Sequence, residues 1–528
     1  MRRRISGEFN NDLSMPAIRI YNRGPPEDAF SVSRVAFIFG LLAFHCSVRY
    51  SKAGRLISKI PGPKVYPIFG NTLSLWKSQV DLWKFARAVF PQYPILKLWS
   101  FTYATVIIHD PDDVKILLLD RTNIRKASMY NLMDSWLGTG LISSTGELWH
   151  RRRKLLTPSM NANNLRKYIE ITNQEGAEMV NYIRNMQTKV IPDLKKLVER
   201  FILRMICGAA MDFEIENSNI KPEDYDHGIE EYLDFGVFRS VRPYLSDWMI
   251  KFMEIGRRQQ IALHNLLSFT NKVISDRRVY LDRHGWELVA TDSEEGAQSI
   301  RDQKKNLSFL DILLFAEREN LIDDKGVRDE VNTFMVAGYD TTSVTLLFCL
   351  LSLAENEKSQ DLARAEVSRI LDNNGGKMAI EDIQKFDYID RCVKESLRLL
   401  PTVPLVGRTI EEDIQLKNHW IPAGTDVMVS IWELHRNPNL WSDPEKFEPD
   451  RFLPQHVQNR HPFSFLPFSA GLRNCIGQKL GMLQVKALVA RILYNFYLEP
   501  VDRTTEIEFK SSFVLQSTHP LRVKFIQR

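Results

Sequence analysis

Cysteine is scarce in this chain of 528 residues: Cys46, Cys207, Cys349, Cys392 and Cys475 lie far apart, and none belongs to a Cys-x-x-Cys pair. An odd, dispersed set of this kind is neither a disulfide framework nor a zinc site, and it fits a catalytic domain in a reducing cytosol. Charge of one sign is also lacking. The 70 Lys+Arg face 65 Asp+Glu, a formal net charge of +5 spread without clusters, so no nucleic-acid partner is indicated. There is no internal repeat, no composition break through the middle, and no flavin or nicotinamide fingerprint. Near the N-terminus the unbroken apolar run Val35–Phe44 is too short to cross a bilayer by itself.

Apolar residues make up 44% of the chain and aromatic residues 10%, enough for a large core. Ile95–Trp99 and Thr105–His109 read as strands, and beyond Tyr130 the pattern turns mostly helical. Residues 281–307 are polar and read as a solvated loop. Strand-like sequence returns after Pro404 and at Leu521–Phe525. The expected fold is mainly α with a smaller β portion, a single large domain over 67–528. Before it come a polar leader (1–28), a membrane anchor (29–50) and a basic Pro/Gly hinge (51–66) containing Ile60-Pro61-Gly62-Pro63. Ala29–Val48 reaches spanning length but includes Arg34 and His45, so an interfacial segment is the competing reading. Basic residues flank both of its ends almost equally, which leaves orientation open. An Arg-rich start raises mitochondrial import, and Glu8, Asp12, Glu27 and Asp28 argue against it.

Chemistry concentrates in four stretches. In Phe468-Ser-Ala-Gly471-Leu-Arg473-Asn-Cys475-Ile-Gly477 one cysteine sits in a glycine-punctuated loop, just before a run that is apolar at helical spacing. The helix N-terminus and Arg473 would lower the thiol pKa and favour a thiolate, although a lone cysteine is more often a small buried hydrophobe. In Gly146–Lys154, Trp149 and Arg153 are four apart and share a helix face; such a basic run is usually a solvated surface. From Glu330 towards Leu353 a long apolar helix carries Gly338 and the polar pair Asp340-Thr341, all unfavourable in a helix interior. Thr341 lies one turn after Ala337, so its hydroxyl can take the Ala337 carbonyl and leave a notch. Glu395 and Arg398, three apart, form an ordinary helix pair that on a surface is worth little.

The cysteine loop, Phe-x-x-Gly-x-Arg-x-Cys-x-Gly, resembles the haem-binding signature of the cytochrome P-450 superfamily, and the other three stretches match that superfamily in order and spacing. The resemblance covers roughly residues 60–528. It implies haem b with Cys475 as axial thiolate and Phe468 and Gly477 beside it. Trp149, Arg153, Arg408 and Arg473 would serve the propionates, and Asp340 and Thr341 would handle protons and oxygen. Glu395, Arg398 and Arg451, the last in Phe447–Phe452, would form a buried structural triad. Ala337, Val403, Leu405, Phe513 and Val514 would line the substrate pocket, together with segments near 125–143, 230–245 and 402–406; His435 reads as structural. The wording around Glu330–Thr342 is similar to the fourth family and its clan, of insect type. Many members of that family carry a haem-esterifying glutamate where this chain has Ala337, so noncovalent haem is expected. The implied activity is hydroxylation of a lipophilic substrate (fatty acid, terpenoid/hormone or xenobiotic) using electrons from an NADPH-dependent cytochrome P-450 reductase, with cytochrome b5 as a further partner. His150 to Arg152, Lys154 and Lys479 would face that reductase. The implied location is the endoplasmic reticulum membrane with a cytosolic catalytic domain. Rival readings are a reductase-independent haem-thiolate isomerase and a non-catalytic haem- or lipid-binding protein.

Overall fold

A computed structural model describes residues 27–215, 222–242, 244–286, 307–372 and 378–528. Nearly all of the expected leader and most of the expected loop 281–307 lie outside the described residues. Leu281–His284, placed in that loop by composition, instead complete the helix Glu254–His284.

The fold is organised around one long helix, Asp324–Glu355. It starts where the Asp323 carboxylate accepts the Gly326 N–H at 2.9 Å, satisfying one of the unpaired amides of a helix start. It is long and apolar enough to cross a membrane, yet most of it is buried inside the protein. A helix apolar on all sides can be a core helix, and this one packs against Leu194–Met211, Glu254–His284, Asp387–Leu399 and Gln478–Asn495. The last of these is the helix expected after Gly477.

Beside the helices stands a four-stranded sheet ordered Ile95–Ser100, Tyr103–Ile108, Asp426–Ser430, Leu405–Thr409. Its middle pair is parallel, with Val106 opposite Val427, and the outer pairs are antiparallel. Strand alternation gives it two buried faces: Val106, Ile108, Val427 and Val429 join one apolar cluster, Ile107 and Met428 another. Leu521–Phe525 contributes to the strand Val523–Gln527, which pairs with Phe496–Pro500 at the end of the cysteine helix.

The expected anchor coincides with the helix Glu27–Arg49, on which Phe39, Leu42 and Phe44 are exposed. A short helix, Lys52–Ser58, then leads to the prolines, and the Pro61 carbonyl accepts the Lys97 N–H at 2.9 Å. Ile57 and Ile60 are buried in the sheet's core, so the packed body begins inside the expected hinge rather than at residue 67.

Candidate active site

The cysteine loop is held open by backbone geometry. Gly471 has φ +70°, and a Cβ there would stand 1.9 Å from the Leu118 carbonyl oxygen, so glycine is required twice over. Gly477 is different: its φ is −88°, and a Cβ would lie 3.9 Å from the Cys475 sulfur, so the turn itself does not demand glycine there. The Cys475 amide bonds back to the Phe468 carbonyl at 3.0 Å, which points the sulfur into a cavity of about 350 Å³. The N–H groups of Gly477 and Gln478 reach the sulfur from the helix start. The expectation of a lowered thiol pKa is nevertheless overturned. Burial pushes the thiol up, and the two N–H groups, Arg153 and Lys126 only oppose that rise. A thiol in such a chamber ionises when a metal cation binds its sulfur directly.

Across the cavity the bond expected to make the notch forms, but the helix does not open around it. The Thr341 hydroxyl donates to the Ala337 carbonyl at 2.5 Å, while the helix continues unbroken through it. Thr345 repeats the pattern on the Thr341 carbonyl at 2.7 Å and meets the Thr402 hydroxyl at 2.7 Å. Asp340 is 2% exposed, and its Oδ2 has no hydrogen-bond partner. Burial pushes its carboxyl up to about 6, against the pull of Lys195. Ala337, Val403, Phe513 and Val514 line the cavity as expected. Leu405 does not: it begins an edge strand and packs against the Phe90–Leu96–Leu98 cluster, while Thr402 and Val406 face the chamber.

One wall of the chamber is cationic. Arg153 donates to the Asn474 carbonyl at 2.9 Å and to Asn474 Oδ1 at 2.8 Å. Arg473 donates to the carbonyls of Ile124 (3.2 Å), Leu141 (3.1 Å) and Ser144 (2.7 Å), and its guanidinium lies 4.8 Å from the Trp149 ring centre. Arg408 is buried and donates to its neighbour's carbonyl, that of Gly407; it is bridged to Lys126 and is not among the residues that line the chamber. Lys126, which sequence reading missed, completes the group; burial, then Arg408 and Arg473, depress its pKa strongly. Among the described residues none of these four cations has a carboxylate partner. Buried cations left without an anion are costly, and two propionates of a bound haem would supply what is missing. Together with the sulfur aimed into an apolar chamber, this donor set fits haem.

Arg152 departs from expectation. Instead of facing outward with His150, Arg151 and Lys154, it is buried, with Nε 3.7 Å from Oε1 of Glu330.

The triad assembles behind the loop. Arg398 forks onto Glu395 at 2.7 and 2.8 Å and donates to the carbonyls of His435 (3.0 Å), Pro444 (2.7 Å) and Lys446 (3.1 Å). Arg451 reaches Glu395 at 3.2 Å and the Asp443 carbonyl at 2.8 Å. His435 carries the link onward: its Nε2 accepts the Leu466 N–H at 2.8 Å, at the entrance to the cysteine loop.

Residues 60–525 match the family model for Cytochrome P450. The chain belongs to the cytochrome P450 family. It is 30% identical to Cytochrome P450 4c3 of Drosophila melanogaster over 99% of this chain and 100% of the relative. It is 32% identical to Cytochrome P450 4p1 of the same organism over 92% and 95%. It is 30% identical to Cytochrome P450 4V2 of Mus musculus over 95% and 96%. As a P450 it is a monooxygenase that binds haem through a cysteine thiolate. Of the chain's five cysteines, Cys475 lines the chamber.

Proposed function

We propose that this P450 hydroxylates a lipophilic substrate (a fatty acid, a terpenoid/hormone or a xenobiotic) at a membrane, with electrons from a separate NADPH-dependent reductase and cytochrome b5 as a second donor. The observation that carries this reading is the chamber itself: predominantly apolar, with Cys475 and the cations Lys126, Arg153 and Arg473 in one wall and the polar pair Asp340 and Thr341 facing them from the long helix. Apolar walls bind a lipophile by removing its surface from water, and they leave its orientation to shape.

Bound haem would supply the oxygen activation and C–H oxidation, with Cys475 as the residue that would hold it. The protein's residues do the rest. Cys475 anchors the cofactor, while Lys126, Arg153, Arg408 and Arg473 neutralise its carboxylates. Thr341, bound to the Ala337 carbonyl, keeps a hydroxyl in the chamber wall. Asp340, with a carboxyl near 6 and one unpaired oxygen, is suited to pass protons near neutral pH. Ala337 presents a methyl where an ester-forming carboxylate would stand, which supports noncovalent haem.

Membrane association is supported by an exposed aromatic surface continuous with the N-terminal helix. His45 of that helix accepts the Ile68 N–H at 3.2 Å. Phe69 packs on Phe101 (5.7 Å), Phe101 on Tyr244 (5.6 Å), and Tyr244 on Trp76 (6.0 Å). Nearby Trp248 and Phe252 are 67% and 86% exposed. Aromatic and apolar side chains in this density suit a bilayer interface. The proposed compartment is the endoplasmic reticulum, with the exposed cations Arg151, Lys154 and Lys479 on the reductase-facing side.

The test is a reduced carbon-monoxide difference spectrum, followed by a fatty-acid and terpenoid screen with NADPH and reductase. A thiolate-type spectrum, product that requires both additions, and haem extractable into acidified organic solvent are expected. Asp340→Asn should keep the spectrum and lose turnover by about 100-fold. A histidine-type spectrum, or product formed without reductase, overturns the reading.

A further inference from the structure

Glu330, two turns before Ala337 on the long helix, lines the chamber and is 1% exposed. The proton-handling pair does not need it, and its bonding is incomplete. Oε2 accepts the Leu141 N–H at 3.1 Å, whereas Oε1 has no hydrogen-bond partner. Arg152 approaches Oε1 no closer than 3.7 Å, and Nη1 of Arg152 is likewise unpaired. A carboxylate and a guanidinium are thus buried side by side, each short of a hydrogen bond that water would provide.

The bond that Glu330 does make holds a strap. Residues 138–144 border the chamber and bring Leu141 and Ile142 into its wall. They are pressed against the long helix. Gly138 has φ +50°, and a Cβ on it would stand 2.0 Å from Asp329 Oδ1; one on Gly140 would stand 2.1 Å from Thr333 Oγ1. Asp329 takes the Thr139 N–H at 2.8 Å, and Lys325 binds Asp329 at 2.9 Å. On the opposite side Arg473 holds the Leu141 carbonyl at 3.1 Å. Leu141 is therefore suspended between the long helix and the cysteine loop. The strap itself carries no titratable side chain. The charged groups around Glu330 are Arg152 from the helix Gly146–Leu156, Asp329 with its Lys325 from its own helix, and Arg473 across the strap.

We propose that Glu330 latches the strap over the substrate chamber, and that ionisation and hydration of its carboxylate release the strap to let lipophilic molecules in and out. Glu330 is a positioning residue here: it acts through Leu141 and touches no reacting atom. The latch rests on reading the chamber as the substrate pocket. Burial pushes Glu330 up to about 7, against Arg152 and the Leu141 N–H and with help from Asp329. Once the strap lifts, water returns the group towards its ordinary value. The closed strap therefore holds the proton more tightly than the open one, and closure weakens as pH rises from about 4.5 to about 7, by up to tenfold per unit.

The test compares holoenzyme wild type and Glu330→Gln by hydrogen exchange of 138–144 at pH 5.5, 6.5 and 7.5, corrected for intrinsic rates. Release of bound Nile red, an uncharged apolar probe, is followed at the same pH values. In wild type, strap protection should fall at least tenfold and probe release should quicken over this range; in Glu330→Gln both should stay within twofold. Residues 129–136, whose Trp136 carbonyl is held by the non-titrating amide of Asn332, should not respond in either protein. If Glu330→Gln does not accumulate, the wild-type contrast between these two segments decides the question. Flat strap protection in wild type, or equal pH dependence in the variant, overturns the latch. Failure of Nile red to bind while the strap still responds would count against the chamber as substrate pocket and leave the latch standing.

Discussion

At the scale of single residues, a buried ion pair underpins the segments that lead into the cysteine loop. Arg398 and Glu395 are both fully buried and joined by two parallel bonds, and three carbonyls absorb the remaining donors of Arg398. A planar five-donor fork satisfies this arrangement and an ammonium does not, so lysine is no conservative replacement. Arg398→Lys strands part of a buried carboxylate and several carbonyls, and is expected to cost about 3–5 kcal/mol. The measurement is the urea midpoint of the holoprotein, with haem retention on gel filtration as a second readout. Wild-type values for both would show that the triad is dispensable. The same distinction separates Arg153, seated on Asn474 by two bonds, from Lys126, which meets the chamber as an unpaired point charge.

At the scale of elements, the sequence was most legible where a local pattern and a chemical requirement coincide. The cysteine helix, the two strands before residue 110 and the Thr341–Ala337 bond follow from periodicity and from one hydroxyl a turn beyond a carbonyl. Lys126 and Glu330 were not legible, because their roles arise from segments distant in sequence that meet at the chamber. Arg152 was misread for a related reason: its neighbours Arg151 and Lys154 are exposed, and only the position of Gly326 opens a place for it inside. A Cβ on Gly326 would stand 2.2 Å from the guanidinium. The aromatic surface was also invisible in sequence, since Phe69, Phe101, Tyr244 and Trp76 come from separate elements. If this surface lies at a bilayer, replacing Trp248 and Phe252 with serine should weaken liposome binding by about tenfold per residue, from the apolar area each would bury. The carbon-monoxide spectrum should be unchanged. Sedimentation with vesicles measures it, and unaltered partitioning would remove this surface from the membrane contact.

At the scale of the whole molecule, burial sets opposing pH responses that meet at the haem. Asp340 and Glu330 have raised folded pKa values, about 6 and about 7, so the stability they contribute is complete below their unfolded values near 4 and is lost as pH rises through 6 and 7. His435 works the other way. Burial, then the charges of Arg398 and Arg436, depress it from 6.5 to about 3, and its Nε2 must stay unprotonated to accept the Leu466 N–H. Its contribution is present above about pH 6.5 and declines as pH falls, by about 1.4 kcal/mol per unit. Since Leu466 leads directly into the loop of Cys475, and the His435 carbonyl is bound by Arg398, protonating this imidazole loosens the loop at both attachments. His435→Gln keeps an acceptor oxygen but cannot titrate. It should be less stable than wild type by about 1–2 kcal/mol at pH 7.5, through poorer packing and a weaker bond. The deficit should shrink on acidification and vanish near pH 5.5, because wild type alone loses a proton-linked increment. Urea midpoints at pH 7.5, 6.5 and 5.5 measure the gap, and haem absorbance at the same values reports the loop. A gap constant across the three pH values would mean that the loop is held without His435.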